Sequence, residues 1–279
     1  MVDRDRTPSL RDHSFHPHTT EREGARELNQ LQGQVAWVTG SSRGIGAAIA
    51  LALAKEGAAV AVHGRDVDAA NAIRDRIAAT GARATVVLGD VTSAQDAERM
   101  VDEIGSTLGP IDILVANAGG NPVRPGPLED MTVGQWRDAI DANLTSTFVT
   151  IAAVLPGMKQ RGRGAIITMS SAAARRPTPQ SPVAYAAAKA SIELLTKWLA
   201  AEAGPSGIRV NCIAPETIMT DRNQKMIPAE VQIQLVGMHP IRRLGTPEDV
   251  AAACVFLAGE QSAWISGVVV DVAGGAVLR

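Results

Sequence analysis

The chain has 279 residues, of which 46% are hydrophobic, and its formal net charge at pH 7 is -2. This length suits one large α/β domain. The near-neutral charge excludes the basic stripe of a nucleic-acid-binding protein and the polybasic patch of a membrane-surface protein. No continuous apolar run reaches the roughly 20 residues that span a bilayer, so we expect neither nucleic acid nor membrane as a partner.

The N-terminal residues 1–31 are polar and charged, and we expect a flexible or partly docked extension of a single domain at 32–279. Three histidines occur within residues 13–18, but their spacing matches no zinc pattern, and we expect no metal site. The extension has no apolar secretory segment, and the two cysteines of the chain do not suggest a disulfide framework. A cytoplasmic protein is therefore expected.

A strand, a glycine-rich turn and a helix follow one another from residue 35 onward. The strand is predicted at Val35–Val38, the turn at 39–46, and an Ala-rich helix at 47–56. Glycines let the backbone approach a pyrophosphate, and the helix N-terminus presents unpaired N–H groups to it. An ordinary tight turn is the alternative. The turn residues that we expect at a dinucleotide are Gly40, Ser42, Arg43, Gly44, Ile45 and Gly46.

The second predicted strand, 58–63, is followed by Gly64, Arg65 and Asp66. In an NAD-binding unit of this kind, an acid near this point binds the ribose 2′-hydroxyl. Gly64 removes that charge, and Arg65, with Arg43 of the glycine turn, would suit a 2′-phosphate. We therefore expect NADP(H) as the cofactor. The alternative is NAD(H), with Asp66 binding the ribose.

Two further strand ends carry candidate cofactor contacts. Asp90, with Val91 beside it, follows the strand predicted at 84–88 and could accept from an adenine amino group or cap the next helix. The segment Asn117, Ala118, Gly119 follows the strand predicted at 111–116, and its small residues permit close backbone approach. Asn117 is expected to lock strands by hydrogen bonding.

The only tyrosine of the chain lies four residues before a lysine in the helix predicted at 184–203. Tyr185 and Lys189 would share one face of this helix, and an ammonium near a phenol lowers the pKa of the phenol. Tyr185 is therefore a candidate general acid/base. Ser171, after the strand predicted at 165–169, offers a hydroxyl to hold a substrate oxygen.

The remaining segments complete an alternation of apolar strands and helices. Further strands are predicted at 208–214 and 268–272, Thr246 is expected to cap a final helix, and 216–245 is expected to form a mobile lid. Seven strands alternating with helices predict an α/β fold. We expect a Rossmann-type, doubly wound, seven-stranded parallel sheet with helices on both faces.

Together these motifs resemble the short-chain dehydrogenase/reductase family. The resemblance covers about residues 31–279, and the 3-oxoacyl-carrier-protein reductases and the sugar or polyol dehydrogenases are the members that the chain resembles most. The matching positions are Thr39-Gly40-x-x-x-Gly44-x-Gly46, Asn117-Ala118-Gly119, Asn143, Ser171 and Tyr185-x-x-x-Lys189.

The resemblance implies a role for each matching position. Tyr185 would donate a proton to a carbonyl oxygen while hydride arrives from the nicotinamide, and Lys189 would bind the nicotinamide ribose. Ser171 would bond the substrate oxygen, and Asn143 would anchor a water in a proton relay. Ile218 and Thr220, which follow the strand predicted at 208–214, would meet the carboxamide of the nicotinamide, and Pro215 would be a further cofactor contact.

The resemblance also implies a homotetramer, joined through the helices that carry Asn143 and Tyr185 and through the C-terminal strand and helix. Two departures from the family pattern stand out. Glu216 follows Pro215 where glycine is usual, so its carboxylate would narrow the pocket, contact a polar substrate or face solvent. The Ser171-to-Tyr185 spacing is one residue longer than expected, which leaves Ser170 as the alternative functional hydroxyl.

The expected reaction interconverts a carbonyl and a secondary alcohol with NADP(H), on a 3-oxoacyl thioester or, alternatively, on a sugar, polyol or other small alcohol. Arg175 and Arg176 would steer an anionic substrate, although solvated surface charges are the favoured interpretation. A nucleotide-binding protein without catalysis is the alternative from another class, and the intact Ser, Tyr, Lys and Asn argue against it. An enoyl reductase is disfavoured by the three residues between Tyr185 and Lys189.

Overall fold

A computed structural model describes residues 30–278 except 177, 179 and 180. The histidines at 13–18 lie outside these residues, as does the N-terminal extension up to residue 29. Leu31, which the sequence assigned to the extension, is fully buried, and its N–H donates to the Glu56 carbonyl (2.8 Å). The packed domain therefore includes Leu31.

All the strands of the described residues belong to one sheet, and every pairing in it is parallel. The spatial order is β3-β2-β1-β4-β5-β6-β7, which confirms the predicted seven-stranded Rossmann-type sheet. The strands are β1 (Val35–Val38), β2 (Ala59–Gly64), β3 (Ala84–Leu88), β4 (Ile113–Ala116), β5 (Gly164–Met169), β6 (Ile208–Pro215) and β7 (Val269–Val272).

Helices connect successive strands, as right-handed crossovers between parallel strands require. The described α-helices are α1 (Gly44–Lys55), α2 (Val67–Ala78), α3 (Ala94–Thr107), α4 (Val133–Ile140), α5 (Ser146–Arg161), α6 (Val183–Ala203), α7 (Asp221–Met226), α8 (Ala229–Met238) and α9 (Pro247–Ala258). Two of them, α7 and α8, lie within the segment predicted as a lid.

Apolar side chains cover both faces of the sheet. On one face, α1, α2 and α9 pack against it, with Leu53 and Leu257 in the core. On the other, α3, α5 and α6 pack around Trp37, Met100 and Leu199. Burying each such large apolar side chain contributes about 1.5–3 kcal/mol, which is why the strands read as nearly continuous apolar runs.

The boundary that matters most for function is the start of α1. The sequence predicted this helix from residue 47, but it begins at Gly44, because the last residues of the glycine turn form its first turn. Most other predicted boundaries differ from the observed ones by one residue or two. Thr246 caps α9 as predicted, in a reciprocal pair of hydrogen bonds with Asp249.

A π-helical segment, Asp141–Thr145, joins α4 to α5. The resulting continuous helix, Val133–Arg161, is long and apolar enough, by length and composition alone, to cross a membrane. In the fold, however, 44% of its most apolar window is buried. A core helix passes the same test, so this finding is weak support for a membrane span.

The order of the strands defines where a ligand can bind. β1 lies between β2 and β4. The chain runs outward from β1 through β2 to β3 on one side, and from β4 to β7 on the other side. This reversal opens a crevice at the carboxyl ends of β1 and β4, the place where open α/β sheets bind their ligands. The turn after β1 and the segment Asn117 to Gly119 after β4 both lie there.

Candidate active site

Two adjacent serines follow β5, and their hydroxyls have different partners. The Ser170 hydroxyl is buried. It lies at hydrogen-bonding distance from two acceptors, the Lys189 carbonyl (3.0 Å) and the Glu193 carboxylate (2.9 Å). The Ser171 hydroxyl accepts from the Ala173 N–H (3.2 Å) and forms a hydrogen bond with Tyr185. Ser171 is therefore the hydroxyl beside the tyrosine, whereas Ser170 braces α6 against β5.

Tyr185 and Lys189 occupy successive turns of α6 and face the end of β5. The Lys189 ammonium lies 5.6 Å from the centroid of the Tyr185 ring and donates to the Met169 carbonyl (2.8 Å). Lys189 is 5% exposed, and burial lowers its pKa to about 8. The structure thus brings together Ser171, Tyr185 and Lys189 as the sequence predicted.

One expectation about this cluster is wrong in the structure. Lys189 was expected to lower the pKa of Tyr185, but burial raises it, and the hydrogen bond with Ser171 opposes the rise only in part. The reason is geometric, since the Lys189 ammonium is directed to the Met169 carbonyl and does not bond the phenol. The Tyr185 hydroxyl therefore keeps its proton at neutral pH.

Asn143 is fully buried in the π-helical segment and bonds the loop that follows β4. Its amide nitrogen donates to the Gly120 carbonyl (2.8 Å) and the Ala139 carbonyl (2.9 Å), and its Oδ1 accepts from the Gly120 N–H (3.1 Å). The structure shows Asn143 holding this loop against α4. Its role in a water relay stays a prediction.

The glycine turn fits a dinucleotide pyrophosphate. Arg43 occupies the N-cap position of α1 without a side-chain cap, and no acidic residue lies in the first turn. The N–H groups of that turn thus remain available for an anion, with the positive end of the helix dipole behind them. Gly46 is required here because a Cβ would overlap the Gly40 carbonyl and the Asn117 amide.

Side chains from neighbouring strands hold this turn in place. The Asn117 amide donates to the Thr39 carbonyl (2.9 Å) and the Gly40 carbonyl (3.2 Å), so it locks β4 to β1 in the way its position predicted. Nδ1 of the buried His63 accepts from the Gly40 N–H (2.9 Å), and its Nε2 faces the Gly89 carbonyl (3.2 Å). Burial lowers the pKa of His63, which keeps the ring neutral as this acceptor role requires.

The last residue of β2, Gly64, has no side chain, and arginines lie close to it in the structure. A Cβ on Gly64 would lie 3.0 Å from the Ser42 side chain. Arg65 is exposed, and Arg43 reaches across to Asp66 with a separation of 2.9 Å between Nη2 and Oδ2. The other oxygen of Asp66 accepts from the Ala69 N–H (3.1 Å) and caps α2.

Asp90 forms a turn of its own after β3. Its Oδ1 accepts from the N–H of Thr92 (2.9 Å) and from the Thr92 hydroxyl (2.8 Å), and these bonds lower the pKa of Asp90. The cap of α3 is Ser93, so the alternative in which Asp90 caps that helix is wrong. Asp90 is exposed and Val91 is buried. Contact with adenine stays a prediction.

The segment after β6 returns to the glycine turn. Pro215 ends the strand, and the buried Ile218 pairs with Gly245. Thr220 caps α7, and its methyl group lies 3.4 Å from the position that a Cβ on Gly44 would take. The structure thus brings the predicted nicotinamide contacts next to the predicted pyrophosphate contacts.

The interpretation of Arg175 as a solvated charge is wrong. Its side chain is only 10% exposed and forms a two-pronged ion pair with Asp271 and a second contact, Nε to Oε1 (3.2 Å), with Glu193. Arg176 is partly buried and donates to the Ala276 carbonyl (3.2 Å). Sequence analysis missed Glu193 and Asp271, although an acid within the apolar α6 was a visible signal.

Glu216, the other departure, contacts His239 with 2.5 Å between Oε2 and Nε2. Its carboxylate therefore bonds to the segment after α8. The described residues contain no group of His, Cys, Asp and Glu side chains suited to a metal ion.

Comparison with known proteins is consistent with this geometry. Residues 40–277 match a family model described as enoyl-(acyl carrier protein) reductase. The 7alpha-hydroxysteroid dehydrogenase of Escherichia coli K12 is 38% identical over 248 residues, which cover 89% of this chain and 96% of that protein. The chain covers nearly the full length of this relative.

Solved structures share the fold. A gluconate 5-dehydrogenase from Burkholderia cenocepacia in complex with NADP and tartrate has a TM-score of 0.82 at 32% identity, covering 88% of this chain and 96% of its own. A 3-oxoacyl-[acyl-carrier protein] reductase from Brucella melitensis with bound NAD has a TM-score of 0.85 at 33% identity, covering 96% of this chain and 100% of its own.

These relatives differ in substrate and in the nicotinamide cofactor bound, but they share one fold with this chain over nearly its whole length. One family assignment therefore explains the glycine turn, the Ser171–Tyr185–Lys189 cluster and the matched family model. The chain is an oxidoreductase that belongs to the short-chain dehydrogenase/reductase family.

Proposed function

We propose that this protein interconverts a carbonyl and a secondary alcohol with NADP(H), using Tyr185 as the general acid/base. The observation that carries the proposal is the hydrogen bond between Ser171 and Tyr185, with the Lys189 ammonium 5.6 Å from the tyrosine ring. A bound nicotinamide dinucleotide would supply or take the hydride. The glycine turn, the N-terminus of α1, and the segment from Ile218 to Thr220 would hold it.

The protein side of the reaction follows from the positions of these groups. Ser171 donates a hydrogen bond to the carbonyl oxygen of the substrate, and the Tyr185 hydroxyl transfers its proton to the same oxygen as hydride reaches the carbon. The raised pKa of Tyr185 ensures that the proton is present at neutral pH. In alcohol oxidation, Tyr185 takes the proton back.

The proposal is tested by initial rates of NADPH and NADH oxidation against one panel of carbonyl compounds. The panel contains an acetoacetyl thioester, keto-sugars, keto-acids and diketones. We expect turnover with at least one member and higher activity with NADPH. Turnover with NADH alone would overturn the cofactor proposal. Binding of both nucleotides without any turnover would favour the non-catalytic alternative.

Arg43 and Arg65 support the preference for NADP(H). Gly64 has no side chain, so no carboxylate stands at the position where an acid would bind a ribose hydroxyl. Arg43 pairs instead with Asp66, two residues further along the chain. A 2′-phosphate would displace Asp66 from Arg43 and add a second contact from Arg65. The rival, in which Asp66 binds the ribose of NAD(H), requires the same ion pair to open.

We expect Arg43→Ala and Arg65→Ala each to raise KM for NADPH by about 10-fold, since each removes a charge-assisted hydrogen bond to phosphate. KM for NADH should change little. The matched control is Arg74→Ala on α2. It also removes an arginine that pairs with an aspartate, in this case Asp75. Equal effects on NADPH and NADH would contradict a 2′-phosphate site.

The structure also bears on the substrate. Arg175 is committed to Asp271 and Glu193, so it does not steer an anionic acyl-carrier substrate. This weakens the case for a 3-oxoacyl thioester and favours the alternative, a sugar, polyol or other small or cyclic alcohol, in line with the hydroxysteroid and gluconate dehydrogenases among the relatives. Three residues between Tyr185 and Lys189 continue to disfavour reduction of a C=C bond.

A homotetramer remains part of the proposal. The helices α4, α5 and α6 present large apolar side chains that no other part of the described chain covers. A second copy of the chain is the partner that would bury them, as the family resemblance implies. The exposed apolar side chains of these helices are Trp136 (38%), Phe148 (57%), Leu194 (69%) and Trp198 (63%).

A cytoplasmic location also stays a prediction.

A further inference from the structure

Glu216 and His239 flank the two helices of the lid, α7 and α8. Glu216 directly follows β6, and its N–H donates to the Val272 carbonyl (3.1 Å) at the end of β7. His239 directly follows α8 and is 2% exposed. The contact between Glu216 Oε2 and His239 Nε2 is 2.5 Å long and closes a loop of chain that contains both α7 and α8.

The hydrogen-bond partners of His239 determine where its protons are. Nδ1 lies 2.7 Å from the Leu235 carbonyl, and a carbonyl oxygen only accepts, so Nδ1 carries a hydrogen. A carboxylate oxygen and an imidazole nitrogen without hydrogen are both acceptors. The 2.5 Å contact at Nε2 therefore requires one further proton, either on His239 or on Glu216. The pair shares this proton.

Other charged groups around this pair are themselves paired. They line one cavity of about 250 Å³ with Glu216 and His239. Arg243, near the C-terminal end of the lid, binds Asp249 of α9 with 2.8 Å between Nη2 and Oδ1. Asp271 of β7 binds Arg175, with 3.0 Å between Oδ2 and Nη1. The Thr217 N–H also donates to Glu216 Oε2. Loss of the shared proton would therefore leave two facing acceptors in a largely buried place.

We propose that Glu216 and His239 are positioning residues that form a one-proton latch on the lid. While the proton is shared, the latch holds α7 and α8 closed and keeps Ile218 and Thr220 beside the glycine turn. As pH rises and the proton is lost, lone-pair repulsion replaces the hydrogen bond and the lid is released. The effect on substrate binding rests on the proposed function, whereas the latch itself does not.

Substitutions at Glu216 separate the latch from a general packing role. Glu216→Gln keeps a hydrogen bond to His239 at every pH, because its amide can donate to neutral Nε2 or accept from a protonated one. Glu216→Ala removes the bond at every pH. Glu230→Gln is the matched control, since Glu230 is an exposed acid at the start of α8.

The test is amide hydrogen exchange of residues 221–238 in the full chain, without substrate, from about pH 6 to about pH 10 and corrected for the intrinsic exchange rate. In the wild type and in Glu230→Gln, we expect protection to fall by about 10-fold or more as pH rises. Glu216→Ala should show the low protection throughout. Glu216→Gln should keep its protection across the range.

A wild type whose protection stays flat would overturn the latch, as would a Glu216→Gln variant that follows the pH dependence of the wild type. A second measurement connects the latch to catalysis. KM for a carbonyl substrate should rise with pH in the wild type and not in Glu216→Gln, with smaller effects on kcat. If exchange behaves as expected but no carbonyl is reduced, the latch holds and the proposed function fails.

Discussion

Tyr185→Phe is expected to lower kcat for carbonyl reduction by about 10²–10⁴-fold, the contribution of a positioned general acid. The substitution removes only the hydroxyl that bonds Ser171 and leaves the ring in its place on α6. Binding of NADPH should change no more than a few-fold. Steady-state rates and a fluorescence titration with NADPH measure the two quantities.

Thermal unfolding of the Tyr185→Phe variant is the control, because the loss of activity must occur in a folded protein. We expect a melting temperature close to that of the wild type. Turnover similar to the wild type in this variant would remove Tyr185 from the mechanism. Equal losses of turnover and NADPH affinity would show that the residue serves cofactor binding rather than proton transfer.

Ser171→Ala is expected to lower kcat by about 10²-fold, since it deletes a hydrogen bond that strengthens as charge develops on the substrate oxygen. Stability should change little, because the Ser171 hydroxyl is only partly buried and its backbone partner is the N–H of Ala173. Kinetics and thermal unfolding of the same preparation provide the measurement.

Ser170→Ala is the matched variant one residue away. It removes the hydroxyl that bonds the Lys189 carbonyl and the Glu193 carboxylate in the interior, at a cost of about 1–3 kcal/mol in the free energy of unfolding. Turnover should remain within a few-fold of the wild type. The opposite pattern, with the large kinetic loss in Ser170→Ala, would assign the functional hydroxyl to Ser170.

Local signals predicted most of the fold. Each strand is a short apolar run, the glycine turn separates β1 from α1, and the Thr246–Asp249 pair marks the start of α9, so seven parallel strands could be inferred from residues close together in the chain. The π-helical segment around Asn143 was not foreseen, since one extra residue in a turn leaves no clear mark on hydrophobic periodicity.

The parts that sequence reasoning missed depend on residues far apart in the chain. Arg175 was taken for a surface charge because its partner Asp271 lies 96 residues away on β7. The contact of Glu216 with His239 depends on how the lid folds back over β6. The pKa of Tyr185 is raised, against expectation, because burial outweighs the hydrogen bond with Ser171 and the Lys189 ammonium bonds the Met169 carbonyl instead of the phenol. These properties arise from packing.

The most direct test of the central claim is the transfer of deuterium from NADPH labelled at both C4 positions. Mass spectrometry of the product from the best carbonyl substrate locates the label. The account predicts one deuterium on the carbon that bears the new hydroxyl. A product that keeps its carbonyl and carries deuterium on a former C=C carbon would contradict it, and so would an alcohol product without deuterium.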